Sequence, residues 1–211
     1  MKPQEAPLIT GYALACVVVF ILLFITGFQS EAIMRAGFIP ARFATEVVAP
    51  PGTMVPAFLT PLTSAFLHGG WLHLTFNMIM LLFIGRQLEA PLGGKAMAAL
   101  LLAGAYAGAL AQWAADPASM IPMIGASGAI SAVLAVYALI FSRTQTSALG
   151  PIPAHWVRAI WLAVAWIGLQ LLLGFAGGGG FGAVAIWAHV GGFLAGLLLA
   201  RPLLRWRFGA R

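Results

Sequence analysis

Two side chains with the chemistry of a nucleophile and its base stand out in the sequence. Ser127 lies in a glycine-rich run, and His189 lies in a second one near the C-terminus. A serine hydroxyl is a weak nucleophile until a neighbouring base removes its proton. A neutral imidazole, with an ordinary pKa near 6.5, can take that proton near neutral pH. The two residue types therefore suit acyl transfer.

A second pair of side chains could donate hydrogen bonds to a developing oxyanion. His73 and Asn77 are four residues apart, so on a helix they face the same side, one turn from each other. The tetrahedral intermediate of acyl transfer needs donors aimed at its oxygen, and an imidazole N–H or an amide can supply them. If a helix begins at Ser127, the backbone N–H of that residue is a further unpaired donor.

The composition places these residues in a membrane protein. Of 211 residues, 62% are hydrophobic and 8% are charged, whereas soluble domains carry roughly 45–50% and about 25%. This excludes a soluble enzyme and a disordered regulator, and a single cysteine, Cys16, excludes a disulfide scaffold. The net charge of +6 is too sparse and scattered to indicate nucleic-acid binding. The lipid bilayer is the predicted partner.

All sixteen charged residues can be placed outside six uncharged segments, each long enough or nearly long enough to span a bilayer. These segments are about 11–29, 65–85, 96–115, 120–142, 159–175 and 183–200. A β-barrel would require alternating polar and apolar residues, which these segments lack. The sequence therefore predicts an all-α membrane protein, with residues 1–211 forming one domain of six transmembrane helices. The four-glycine run at 177–180 is a candidate hinge.

The basic residues predict the orientation of these helices. With six spans, nine Lys and Arg residues fall on the side that holds both termini, and only Arg35 and Arg42 fall on the other. Both termini are then cytoplasmic. The second, fourth and sixth helices then start on the outer side. This places the His73/Asn77 pair, Ser127 and His189 in the outer half of the bilayer. The acidic residues on that side are Glu31, Glu46 and Asp116, and we expect none of them to orient the histidine.

Other interpretations of the polar residues compete with this one. His68, His73 and His189 could together hold a metal ion, and the glycines around Ser127 could simply allow close helix packing. The nucleophile elbow of soluble hydrolases does not match, because residue 129 is alanine. A metalloprotease His-Glu-x-x-His run is missing from the sequence, and Asp116 is the single aspartate where an aspartyl protease would need two.

Taken together, the clusters resemble the rhomboid family of intramembrane serine proteases. The runs that carry the resemblance are HGGWLHLTFN at 68–77, GASG at 125–128 and AHVGG at 188–192. The resemblance implies that Ser127 is the nucleophile and His189 the base of a Ser–His dyad. It also implies that His73, Asn77 and the Ser127 backbone form the oxyanion site. The supporting residues would be His68, Gly125, Gly128, Gly192 and Gly196.

The resemblance further implies an endopeptidase that needs no metal or cofactor and cleaves single-span transmembrane proteins in or near the outer leaflet. A bacterial inner membrane is the expected location, and the oligomeric state is left open. Two positions depart from the family pattern: Leu59-Thr60 stands where many members have Trp-Arg, and Ser131 stands where some have a tyrosine that stacks on the catalytic histidine. The alternatives are a non-catalytic membrane adaptor or chaperone that binds transmembrane clients and, after it, a small-solute channel or transporter.

Overall fold

The computed structural model describes residues 6–44, 54–141, 147–176 and 185–209, and within these ranges the regular structure is helical. Four helices are long and apolar enough to cross a membrane: α1 (Pro7–Thr26), α7 (Gly94–Ala115), α9 (Ala154–Ala176) and α10 (Ile186–Phe208). A fifth apolar helix, α8 (Ser127–Ile140), has 14 residues. The predicted hinge at 177–180 and Glu46 lie outside the described residues.

The predicted second span is a helical run that contains a π-turn. It consists of α5 (Trp71–Met80), a π-helical segment (Leu81–Gly85) and α6 (Arg86–Leu92). It begins later than predicted, because Gly70 precedes it with an extended backbone. It also continues past the predicted end into residues that carry charge. The shorter helices α2 (Gln29–Ala36), α3 (Ala41–Ala44) and α4 (Thr60–Ser64) lie between α1 and this run.

The helix predicted to begin near residue 120 begins instead at Ser127. The residues before it are apolar but irregular, and some of their backbone groups bond to the segment between α1 and α5. Met123 and Phe38 exchange two backbone hydrogen bonds at 2.7 and 3.0 Å, and the Gly125 N–H donates to the Ser64 carbonyl at 2.9 Å. Gly125 has φ +112°, a conformation that glycine adopts readily. The connection after α7 is therefore longer than predicted, and it ends at the nucleophile candidate.

Glu89 links the second helical run to the start of α1. Ala6, the residue before α1, offers no side chain to cap the helix. The Glu89 carboxylate instead accepts hydrogen bonds from the Leu8 N–H at 3.0 Å and the Ile9 N–H at 2.8 Å. The first N–H groups of a helix have no intrahelical partner, and negative charge is favourable beside them. This contact explains how an acidic residue is buried inside the helical run.

Glycines bring α7, α8 and α10 into close contact. A Cβ on Gly192 would overlap the backbone carbonyl of Gly128, and a Cβ on Gly196 would overlap the carbonyl oxygen of Ala132. A Cβ on Gly104 of α7 would lie 2.7 Å from the Ala132 side chain. Small residues at such positions let helix backbones approach each other in a membrane. Gly192 and Gly196 therefore lie at close contacts between α10 and α8.

Candidate active site

Ser127 and His189 are in hydrogen-bond contact. Ser127 is the first residue of α8, and His189 lies in the first turn of α10. The His189 Nε2 and Ser127 Oγ atoms are 2.9 Å apart, and the two residues are 3% and 7% exposed. Gly192 lies one turn after His189 and packs on Gly128, which directly follows Ser127. The glycine contact thus sets the distance between the two side chains.

His189 makes a hydrogen bond through one of its two ring nitrogens, Nε2. Its Nδ1 is buried and, among the described residues, has no hydrogen-bond partner. Two of the acidic residues predicted on the outer side are described, and neither lies at His189. Glu31 forms an exposed ion pair with Arg35, and Asp116 is an exposed residue at the end of α7. Within the described part of the chain, no carboxylate contacts the imidazole. Among the described residues, the arrangement is therefore a pair of side chains.

His73 approaches the same place from the first turns of α5. A Cβ on Gly125 would lie 2.6 Å from His73 Nε2 and 3.8 Å from Ser127 Oγ, so both side chains border the space that this glycine leaves open. The Gly69 N–H donates to His73 Nδ1 at 3.4 Å. A neutral imidazole whose Nδ1 accepts a bond carries its hydrogen on Nε2. His73 therefore presents an N–H donor towards the serine.

Asn77 and His68 lie beside His73, where they support it. Asn77 is fully buried, and its Nδ2 donates to the His73 carbonyl at 2.8 Å. That leaves the second N–H of the amide for another acceptor. The His68 and His73 rings meet edge to face at 5.1 Å, and Gln29 Nε2 donates to the His68 carbonyl at 2.9 Å. The sequence predicted that His68 lies within the second helix. In the structure it precedes that helix, because α5 begins at Trp71.

Ser131, one turn after Ser127, is part of a hydrogen-bond chain that reaches a third helix. Its hydroxyl donates to the Ser127 carbonyl at 2.7 Å and accepts from the Trp166 indole N–H of α9 at 2.9 Å. The Trp166 and His189 rings also meet edge to face, with centroids 6.2 Å apart. Sequence reasoning missed Trp166, because a buried tryptophan in an apolar helix looks like a lipid-facing one. Ser131 could have pointed to it. Where some members of the family have a tyrosine that stacks on the histidine, this chain has a serine, so another aromatic side chain could pack there.

A narrow cleft opens beside Ser127. It is lined by residues of α4, α7, the 123–125 segment and the starts of α8 and α10. Its volume is about 10 Å³, which is room for roughly one water-sized group. The first-turn N–H groups of α8 have no intrahelical acceptor. A hydroxyl, two imidazoles and a helix N-terminus therefore meet at the N-terminal ends of α5, α8 and α10, and the Asn77 amide lies one turn after His73 in α5.

Comparison with known proteins adds a family match. The family model described as the Rhomboid domain matches residues 56–206. The chain is 34% identical over 139 residues to RHOMBOID-like protein 5 of Arabidopsis thaliana, covering 66% of this chain and 42% of that protein. It is 34% identical over 144 residues to RHOMBOID-like protein 4 of the same plant, covering 68% of this chain and 33% of that protein. It is 29% identical over 162 residues to Rhomboid protein 1, mitochondrial, of Saccharomyces cerevisiae, covering 74% of this chain and 45% of that protein.

The aligned part of the chain spans less than half the length of these curated relatives. They come from plants and from yeast, and one is named as mitochondrial. They give no support to the expected bacterial inner membrane.

Proposed function

Because the chain belongs to the rhomboid family, we propose that it is a serine endopeptidase that cleaves transmembrane proteins inside the membrane. The family membership that the sequence motifs indicated is thereby confirmed. The apolar helices make the protein a helical membrane protein. The observation that carries the proposed activity is the 2.9 Å contact between His189 Nε2 and Ser127 Oγ. This distance lies within the range in which a base can take the proton of a nucleophile.

The proposed reaction proceeds in two halves. The Ser127 oxygen attacks the scissile carbonyl while His189 Nε2 takes the hydroxyl proton, and the tetrahedral intermediate collapses when His189 returns that proton to the leaving amine. Water then attacks the resulting ester on Ser127, with His189 again accepting and returning a proton. The products are a free carboxylate and the restored serine hydroxyl.

The oxyanion of each intermediate would be held by the donors around Ser127. We assign this role to the His73 Nε2–H and the Ser127 backbone N–H, with Asn77 contributing the second N–H of its amide. The support for His73 is its position across Gly125 from the serine, with Nδ1 accepting from Gly69. One N–H of the Asn77 amide is bonded to the His73 carbonyl of its own helix, so the other N–H is the one that would reach the oxyanion. His68 and the glycines at 125, 128, 192 and 196 would hold these groups in place.

We further propose one six-span domain with both termini in the cytoplasm. Beside the four long helices, the run from Trp71 to Leu92 and the shorter α8 would supply the two remaining spans. The distribution of Lys and Arg supports the orientation. A reporter that is active only in the cytoplasm, fused after Arg211, should be active. Activity of a reporter that works only on the opposite side would reverse the topology.

The test of the proposed activity is co-expression with a panel of tagged single-span membrane proteins. Wild type should cleave at least one of them, and Ser127→Ala and His189→Ala should each abolish cleavage while still inserting, since members of a dyad act as a unit. A fluorophosphonate reagent should label wild type at Ser127. Robust cleavage by Ser127→Ala would refute the dyad. Binding of the panel proteins without cleavage or labelling would favour the adaptor.

A further inference from the structure

Trp166 of α9 contacts both halves of the candidate dyad from outside it. Its indole N–H bonds to the Ser131 hydroxyl, which in turn bonds to the carbonyl of Ser127. Its ring and the His189 ring meet edge to face, with their centroids 6.2 Å apart. The same side chain therefore packs near the imidazole of His189 and is linked through the Ser131 hydroxyl to the backbone turn that carries Ser127.

Trp166 is one of the few residues of α9 that are buried inside the protein. Among residues 154–172, three are buried: Ala159, Trp166 and Gln170. Trp166 is 2% exposed, whereas Trp161 of the same helix is 67% exposed and faces outwards. An indole buried in an apolar bundle needs an acceptor for its N–H, and Ser131 provides one because it is small and fully buried.

His189 needs such a neighbour because its own bonding is incomplete. Nδ1 has no partner among the described residues, so within them the Nε2 bond to Ser127 is the one hydrogen bond of the ring. In a triad, a carboxylate on that nitrogen holds the imidazole in place. Here the remaining restraints on the ring are its bond to Ser127 and the packing around it, which includes the Trp166 edge.

We infer that Trp166 is a positioning residue of the reaction: through Ser131 it fixes the turn that carries Ser127, and through its ring it fixes the orientation of His189. This inference rests on the proposed serine protease activity. It assigns to an α9 side chain the support that the resemblance would have placed at position 131. The helix that carries Trp166 thereby becomes part of the site, although none of its residues reacts.

Three variants separate the two contacts. Trp166→Phe keeps an aromatic edge near His189 and removes the N–H, and Ser131→Ala removes the hydroxyl that accepts it. Each should lower kcat about five- to tenfold, the effect of losing one buried hydrogen bond. The double variant should lose no more than either one alone, because both remove the same chain of bonds. Trp166→Leu also removes the ring and should lower kcat about 50-fold or more, as a small misplacement of a reacting group does.

The assay is cleavage of a single-span protein from the panel, with kcat and KM measured separately, together with the rate of fluorophosphonate labelling. KM should stay within about twofold, because a positioning residue acts on the reacting groups and not on substrate binding. Trp161→Leu is the matched control, since it removes an exposed tryptophan from the same helix, and it should match wild type. Thermal unfolding in detergent shows which variants are folded.

The possible results are distinct. If Trp166→Phe and Ser131→Ala are folded and keep the wild-type kcat, or if their losses multiply in the double variant, Trp166 is only a packing residue and the inference is wrong. These two variants decide the matter even if Trp166→Leu does not fold. If wild type itself neither cleaves nor labels, the proposed function fails, and the inference fails with it. Active wild type with unaffected variants overturns the inference alone.

Discussion

Replacing Gly192 with alanine adds one methyl group at the closest contact between α10 and α8. The new Cβ would overlap the Gly128 carbonyl oxygen and would lie 2.9 Å from the carbonyl carbon. Ordinary contact begins at 3.4 Å, so the carbon alone requires the helices to separate by about 0.5 Å, and the oxygen requires more.

This separation should be transmitted to the dyad. Ser127 directly precedes Gly128, and His189 lies one turn before Gly192. The Oγ to Nε2 distance of 2.9 Å should therefore lengthen to about 3.4 Å or more, which is outside the range of a good hydrogen bond. Because a misplacement of about 1 Å can cost 10²-fold in rate, we expect kcat to fall at least tenfold, or about 1.4 kcal/mol. Overpacking should also lower the free energy of unfolding by about 1–3 kcal/mol.

The assay compares Gly192→Ala with Gly168→Ala, measuring cleavage of a single-span substrate and thermal unfolding in detergent. Gly168 lies in α9 with no atom within 4 Å of an added Cβ, so its replacement by alanine should preserve activity and slightly stabilise the helix. Gly196→Ala tests the same helix pair one turn further from the dyad, against the Ala132 carbonyl. A Gly192→Ala protein with wild-type kcat and unfolding temperature would refute the reasoning, because it would mean that the helices do not meet through this glycine.

Other substitutions test the remaining contacts of the site and the fold. His73→Ala should lower kcat about 10²-fold with little change in KM, as expected for an oxyanion donor; a raised KM at unchanged kcat would make His73 a substrate-binding residue. Asp116→Asn and Glu31→Gln should each keep at least about a tenth of wild-type kcat, whereas loss of a triad carboxylate costs about 10⁴, so a loss of that size in a folded variant would reveal a third member. Glu89→Gln should lower the free energy of unfolding by about 1–2 kcal/mol, and an unchanged unfolding temperature in detergent would show that the cap on α1 contributes nothing.

The candidate reacting residues could be singled out from the sequence because polar groups are rare in apolar segments. Ser127, His189 and His73 stand out for that reason, and their spacing from the segment starts placed them at one end of the bundle. The start of α8 could not be predicted in the same way. Hydropathy does not distinguish an apolar helix from an apolar irregular segment, and the backbone pairing of Met123 with Phe38 joins residues that are distant in sequence.

Two other features depend on tertiary contacts that no local pattern records. Glu89 looks like a connector residue until its partners at the start of α1 are known. Trp166 and Trp161 are the same residue type in the same apolar helix, yet Trp166 is buried against Ser131 and Trp161 is exposed. In both cases the residue type is visible in the sequence, but the partner that gives it a role comes from another helix.

The contact between Glu89 and the start of α1 also bears on the order in which the protein is built. α1 is synthesised before the rest of the bundle, yet the carboxylate that receives the Leu8 and Ile9 N–H groups is about eighty residues further along the chain. Until the helical run that contains Glu89 has been synthesised and has reached its place beside α1, those N–H groups must be solvated at the membrane surface. The cap on α1 is therefore completed only when the second helical run has arrived, although α1 precedes that run in the chain.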